Sequence, residues 1–75
     1  MVALIDLPDC SSGTIAAING GYGLVQKLDA LGIRVGKEIT KVIRQWMKGP
    51  VIIRSGNNEI ALGYGMAHKI IVEIK

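Results

Sequence analysis

The chain has 75 residues, of which 49% are hydrophobic and only 4% aromatic. Nine basic residues against six acidic give a formal charge of +3, too mild to mark a nucleic-acid binder by itself. This length excludes a dinucleotide-binding unit with its own substrate domain, and it excludes an eight-loop barrel enzyme.

The apolar residues are mostly aliphatic, with twelve Ile and six Val against six Leu. β-branched side chains suit a pleated, half-buried surface, so the composition leans towards strands punctuated by glycine. In chain order, Leu4, Leu7 and Pro8 form a short apolar lead-in, and residues 14–18 read as a first strand. Asn19-Gly20-Gly21 is a turn, because Asn and Gly tolerate positive φ. Leu24, Leu28 and Leu31 then recur at i, i+4 and i+7 with Val25 beside them, while Gln26, Lys27 and Asp29 take the other side. The spacing predicts an amphipathic helix over 23–31, its leucine stripe facing the core and Gly32 ending it as the C′ residue.

Residues 37–48 read in two ways. Ile39, Val42, Ile43 and Trp46 follow a helical period bracketed by Gly36 and Gly49, yet their types favour a strand, and the residues alone leave both readings open. After Gly49-Pro50, residues 51–54 and 59–62 predict a hairpin around the turn Ser55-Gly56-Asn57-Asn58. Gly63-Tyr64-Gly65 punctuates again, and Met66-Ala67-His68 allows one helical turn. Ile70, Val72 and Ile74 would share one face of a last strand. Four or five short strands and one full helix predict a small, strongly bent sheet closing towards a barrel.

No catalytic constellation is visible. Cys10 and His68 are the only thiol and imidazole, nothing in the spacing brings them together, and the carboxylates are scattered, so we expect no enzyme. A lone cysteine excludes an intrachain disulfide framework and points to a reducing, intracellular setting. No resident cofactor is expected. Zinc sites use close pairs of ligands, and His68, Asp6 and Asp9 are only weak candidates for Fe²⁺ or Zn²⁺. Asn19-Gly20-Gly21-Tyr22-Gly23 has the strand–turn–helix context of a phosphate cradle, but it lacks the full glycine fingerprint and a lysine opening the helix. If 37–48 were helical, Lys37, Lys41, Arg44 and Lys48 would line one face of a helix-turn-helix-like nucleic-acid-binding domain; as a strand they scatter. Mean hydropathy is +0.37, but no apolar run is long enough to cross a bilayer. Asp6 and Asp9 stand where a signal peptide needs basic and apolar segments, which predicts a cytoplasmic protein without membrane insertion.

The order of motifs is more specific than any one of them. Asn19-Gly20-Gly21-Tyr22-Gly23-Leu24-Val25-Gln26-Lys27-Leu28 is followed by Leu31-Gly32-Ile33-Arg34-Val35-Gly36 and by Gly49-Pro50-Val51-Ile52-Ile53. Glu59-Ile60-Ala61-Leu62-Gly63, Met66-Ala67 and Ile70-Ile71-Val72-Glu73 complete the series. Taken together these resemble the ferrous iron transport protein A (FeoA) family over nearly the whole chain. The resemblance implies one FeoA-like domain over 1–75, mainly β, an SH3-like β-barrel of about five strands with a helix inserted after the first. It implies strands near 13–19, 37–46, 50–55, 58–62 and 69–74, and so a strand where the helical period stood.

The implied function is a cytoplasmic accessory and regulatory protein of ferrous iron uptake. Its implied partner is the cytoplasmic, GTPase-bearing part of the membrane iron transporter, and no nucleic acid is expected. Family domains are also linked to transition-metal binding, and a related SH3-like module occurs in iron-dependent repressors, so a metal-binding regulatory module is the alternative. Eukaryotic SH3 domains grip proline-rich peptides in aromatic grooves, a mode that a chain with three aromatics cannot readily support. Large side chains in loops make the best anchors; Tyr22, Leu24, Arg34, Trp46, Met47, Tyr64 and Met66 are therefore the candidate partner-binding residues.

Overall fold

The glycine-punctuated aliphatic pattern forms one antiparallel sheet in the computed structural model, which describes residues 1–44 and 50–74. Its strands are β1 (Val2–Ala3), β2 (Ser12–Ile18), β3 (Glu38–Arg44), β4 (Val51–Ser55), β5 (Asn58–Leu62) and β6 (Ile70–Ile74), in the order β1-β6-β2-β3-β4-β5. Helix α1 (Tyr22–Ala30) joins β2 to β3, and the short α2 (Tyr64–His68) joins β5 to β6. The fold is thus mainly β with one main helix, as expected. The strand count among the described residues is six rather than about five, because the lead-in adds β1 to the edge of β6, pairing Val2 with Val72.

Two irregularities curve the sheet. Register shifts fall between Ile15 and Ala17 in β2 and between Lys41 and Ile43 in β3. A bulge bends its strand and increases the local twist, so the sheet can wrap its inner face around one core. Ile15, Ile39, Ile53, Leu62, Ile70 and Val72 supply that core from the strands, closed by Leu4 and Leu7 from the lead-in. The lead-in does this through a 3-10 turn at Leu4–Asp6, which packs against α2.

Over 38–44 the ambiguous segment is a strand. Ile39 and Lys41 point inward while Thr40 and Val42 are half-buried on the other side, a period of two. The helical period is overruled by pairing on both flanks, to β2 and to β4. The nucleic-acid alternative thereby loses its recognition helix. Lys41, which would have faced phosphates, is fully buried, and Lys48 lies outside the described residues.

Helix α1 ends as its glycine requires. Gly32 adopts φ +86°, its N–H donates to Asp29 O at 2.9 Å, and Ile33 N–H donates back to Leu28 O at 2.9 Å. This is a Schellman closure, with its apolar contact made by Leu28 and Ile33, both in the core. The leucine stripe is only partly core. Leu28 is fully buried and Leu24 packs against the core, but Leu31 and Val25 stay 43% and 38% exposed. A nine-residue helix laid across a barrel this small seals it along a single line of side chains. Gly23, in its first turn, has open space where a Cβ would go. Gly23→Ala is expected to raise stability by about 0.5–1 kcal/mol, through helix propensity and a less flexible unfolded chain. Thermal unfolding at fixed protein concentration measures it.

The hairpin joins β4 and β5 through Gly56 and Asn57, with Ser55 opposite Asn58. Gly56 has φ +63° while Asn57 is not in the positive region, the pattern of a type II′ turn with glycine at its first central position.

Candidate functional site

Helix α1 carries a mixed outer row besides the face that seals the core. Tyr22, Val25, Gln26 and Asp29 recur at i, i+3, i+4 and i+7 and so stand in one row on its outer side. Opposite that row is the turn at 34–37. Lys37 N–H donates to Arg34 O at 3.1 Å, and Gly36 takes φ +92° at its third position, which makes a type II turn. The turn is tied to β2 from both sides: Gly36 N–H donates to Ile15 O at 2.8 Å, and Ile15 N–H donates to Lys37 O at 2.9 Å. Arg34 and Val35 are therefore held out at a fixed place beside the helix.

Between the helix row and the turn lies an open groove of about 550 Å³, with Ile18 at the end of β2 among its lining residues. Its walls are mainly apolar and well exposed: Tyr22 is 77% and Val35 60% accessible. Two polar contacts fix its rim. Gln26 Nε2 donates to the Tyr22 hydroxyl at 3.0 Å, and Arg34 Nε pairs with Asp29 Oδ1 at 2.9 Å. An exposed ion pair of this kind contributes little to stability, about 0–1 kcal/mol, but it orients the guanidinium. The arrangement offers apolar area beside positioned donors, which is the chemistry of a protein-binding groove rather than of bond-breaking.

The candidate partner-binding residues fall in different places. Tyr22 and Arg34 meet in the groove. Leu24 turns inward and packs on the core, and Gly20 lies so close beneath it that a Cβ there would run into Leu24 Cδ2. Tyr64 and Met66 belong to α2; both are half-buried, and Met66 packs against the core. The segment between β2 and α1 meets the residue that follows α2, where Asn19 N–H donates to Lys69 O at 2.7 Å beyond the Ile18–Ile70 pair of the sheet. Trp46 and Met47 lie outside the described residues. Val25, Val35 and Ile18 were missed as groove residues. Val25 could have been found from its position three residues after Tyr22, whereas Val35 needed the turn geometry.

The weak metal candidates are exposed: Asp6 in the 3-10 turn, Asp9 before β2, and His68 at the end of α2. Among the described residues, no group of three or more His, Cys, Asp or Glu side chains is placed to hold an ion together. Cys10 is exposed and adopts φ +66°. No described helix is long and apolar enough to cross a membrane.

Comparison with known proteins agrees with the fold. Residues 2–74 match the FeoA domain family. A Methanocaldococcus jannaschii protein provisionally named Fe(2+) transport protein A is 44% identical over 59 residues, covering 79% of this chain and 70% of that protein. A crystal structure of an iron uptake regulatory protein (FeoA) superposes with a TM-score of 0.87 at 30% identity, covering 99% of this chain and 96% of its own. A manganese-dependent transcriptional repressor shares the fold, with a TM-score of 0.88 at 20% identity over 97% of this chain and 41% of the repressor.

Proposed function

Because the chain belongs to the FeoA domain family, we propose that it is a cytoplasmic accessory and regulatory protein of ferrous iron transport that docks on the GTPase-bearing cytoplasmic part of the membrane iron transporter. It performs no catalytic step of its own in this reading; its work is to bind and modulate. The observation that carries the reading is the groove beside α1. A chain with three aromatic residues leaves Tyr22 77% exposed, next to Val25 and Val35, where no internal packing needs it. Contiguous exposed apolar surface with positioned polar groups at its rim is characteristic of interaction sites.

Titration of isotope-labelled protein with the transporter's cytoplasmic domain tests it. The largest amide shifts are expected at Tyr22, Val25 and Val35, with smaller ones reaching α2 through the Asn19–Lys69 hydrogen bond. Absence of shifts at the highest soluble partner concentration would sink the reading. Shifts confined to the far hairpin at Gly56-Asn57 would move the docking site elsewhere.

A further inference from the structure

The Arg34 side chain is held but not saturated. Its Nε donates to Asp29 Oδ1 at 2.9 Å, while the two side chains stay 61% and 58% exposed. That contact uses one N–H of a planar fork; no described residue accepts from the remaining donors. The stretch 22–37 is also basic, with Lys27, Arg34 and Lys37 against Asp29 alone. Arg34 and Asp29 are the charged residues among those lining the groove, and the carboxylate is already engaged, so a cationic ligand would meet the guanidinium without a free counter-charge.

We infer that the groove recognises an acidic–apolar segment of its partner, a large aliphatic or aromatic side chain with Glu or Asp close beside it. The apolar group lies against Tyr22, Val25 and Val35. The carboxylate takes the outward edge of the Arg34 guanidinium through paired N–H···O bonds, while Asp29 holds the plane of the fork. The inference rests on the docking reading above and gives that partner its chemistry. Guanidinium–carboxylate pairs are strong when both N–H bonds are made and water is displaced around them, and the apolar walls supply that displacement. Attraction between the guanidinium and an acidic segment raises the encounter rate and weakens with added salt.

Two arms of one experiment test it. In the first, wild type, Arg34→Lys and Arg54→Lys are titrated with the transporter's cytoplasmic domain. Lysine keeps the charge but cannot form the fork, so Arg34→Lys is expected to weaken binding about tenfold. Arg54→Lys, from the exposed Arg54–Glu59 pair with its 3.0 Å contact on β4 and β5, is expected to bind as wild type. Equal thermal midpoints establish that the fold is unchanged. Wild-type affinity in Arg34→Lys overturns the inference while leaving the docking reading intact. In the second arm, labelled protein is titrated with acetyl-Leu-Glu-Leu-amide and with its Gln counterpart. A shift of the Arg34 Nε resonance with the Glu peptide and not the Gln peptide supports the inference even if the transporter domain fails to bind. Equal responses to both peptides overturn it.

Discussion

Lys41→Met is expected to destabilise the protein by about 3 kcal/mol, because it leaves the buried Leu7 carbonyl and the partly buried Ile5 carbonyl without their donor. Lys41 is fully buried, and its Nζ donates to Ile5 O at 3.0 Å and to Leu7 O at 2.8 Å. The ammonium is thus the fastener between β3 and the lead-in that closes the core. Burying a charge costs free energy unless hydrogen bonds replace its lost water; here backbone carbonyls replace it. Those carbonyls belong to the main chain and cannot be mutated away, so methionine preserves the aliphatic stem but not the bonds. A buried acceptor left unpaired costs about 1–3 kcal/mol, and the buried Leu7 carbonyl with a smaller share from Ile5 gives the stated total. For a chain of this size the thermal midpoint falls by roughly 12–24 °C. The segment carrying Leu4 and Leu7 should loosen first. Hydrogen exchange should therefore speed up at Leu7 N–H, which donates to Leu4 O at 3.2 Å, and at Cys10 N–H, which donates to Lys41 O at 2.6 Å. A loss below about 1 kcal/mol would mean that water satisfies both carbonyls and that the lysine is dispensable.

The second large effect is expected at Gly13. This residue lies in β2 between Ile39 of β3 and Ile74 of β6, and it is buried. A Cβ added there would collide with Val72 Cγ1 and come within 2.7 Å of the Glu73 carbonyl oxygen. Neither neighbour yields easily: Val72 is a β-branched side chain wholly inside the core, and the carbonyl belongs to a strand paired with β2. Gly13→Ala is expected to cost about 2–3 kcal/mol by forcing β2 and β6 apart. Gly65→Ala is the matched control, since open space surrounds its Cβ position in α2. Denaturant unfolding of the two variants compares them directly. Equal midpoints would show that the sheet absorbs a methyl group at Gly13 without strain.

Both effects bear on the groove through α1. The helix is joined to β2, and the turn carrying Arg34 is hydrogen-bonded to Ile15 of the same strand. The groove keeps its shape only while β2 keeps its place between β3 and β6. A loosened sheet would therefore blur the groove before the chain unfolds, and weakened partner binding should accompany either destabilised variant.

Much of the architecture was legible in the residues, because it depends on local geometry. Gly32 takes a backbone angle that L-residues rarely adopt, so it marks the end of α1 whatever surrounds it. The Gly56-Asn57 pair between two aliphatic runs marks the hairpin for the same reason. The order of these signals along the chain was enough to suggest the family, and Tyr22 and Arg34, singled out for their size, do line one groove.

The rest depended on neighbours remote in sequence. Period alone could not decide 38–44, since the same apolar residues fit a helix until pairing with β2 and β4 selects a strand. Nor could the sequence place Lys41 inside the core, because its partners Ile5 and Leu7 lie more than thirty positions away and offer only backbone oxygens. Leu24 looked like an anchor and packs inward; Val25 looked like core and faces the groove. Which side of α1 is outer depends on how the helix lies on the curved sheet, and that is decided by Leu28 and Ile33 joining the core. By itself, then, the sequence determined the turns, the aliphatic β-rich class and the family, because these rest on individual residues and their order. Only the tertiary structure decided the strand at 38–44, the buried lysine and the groove, because each arises where distant segments meet.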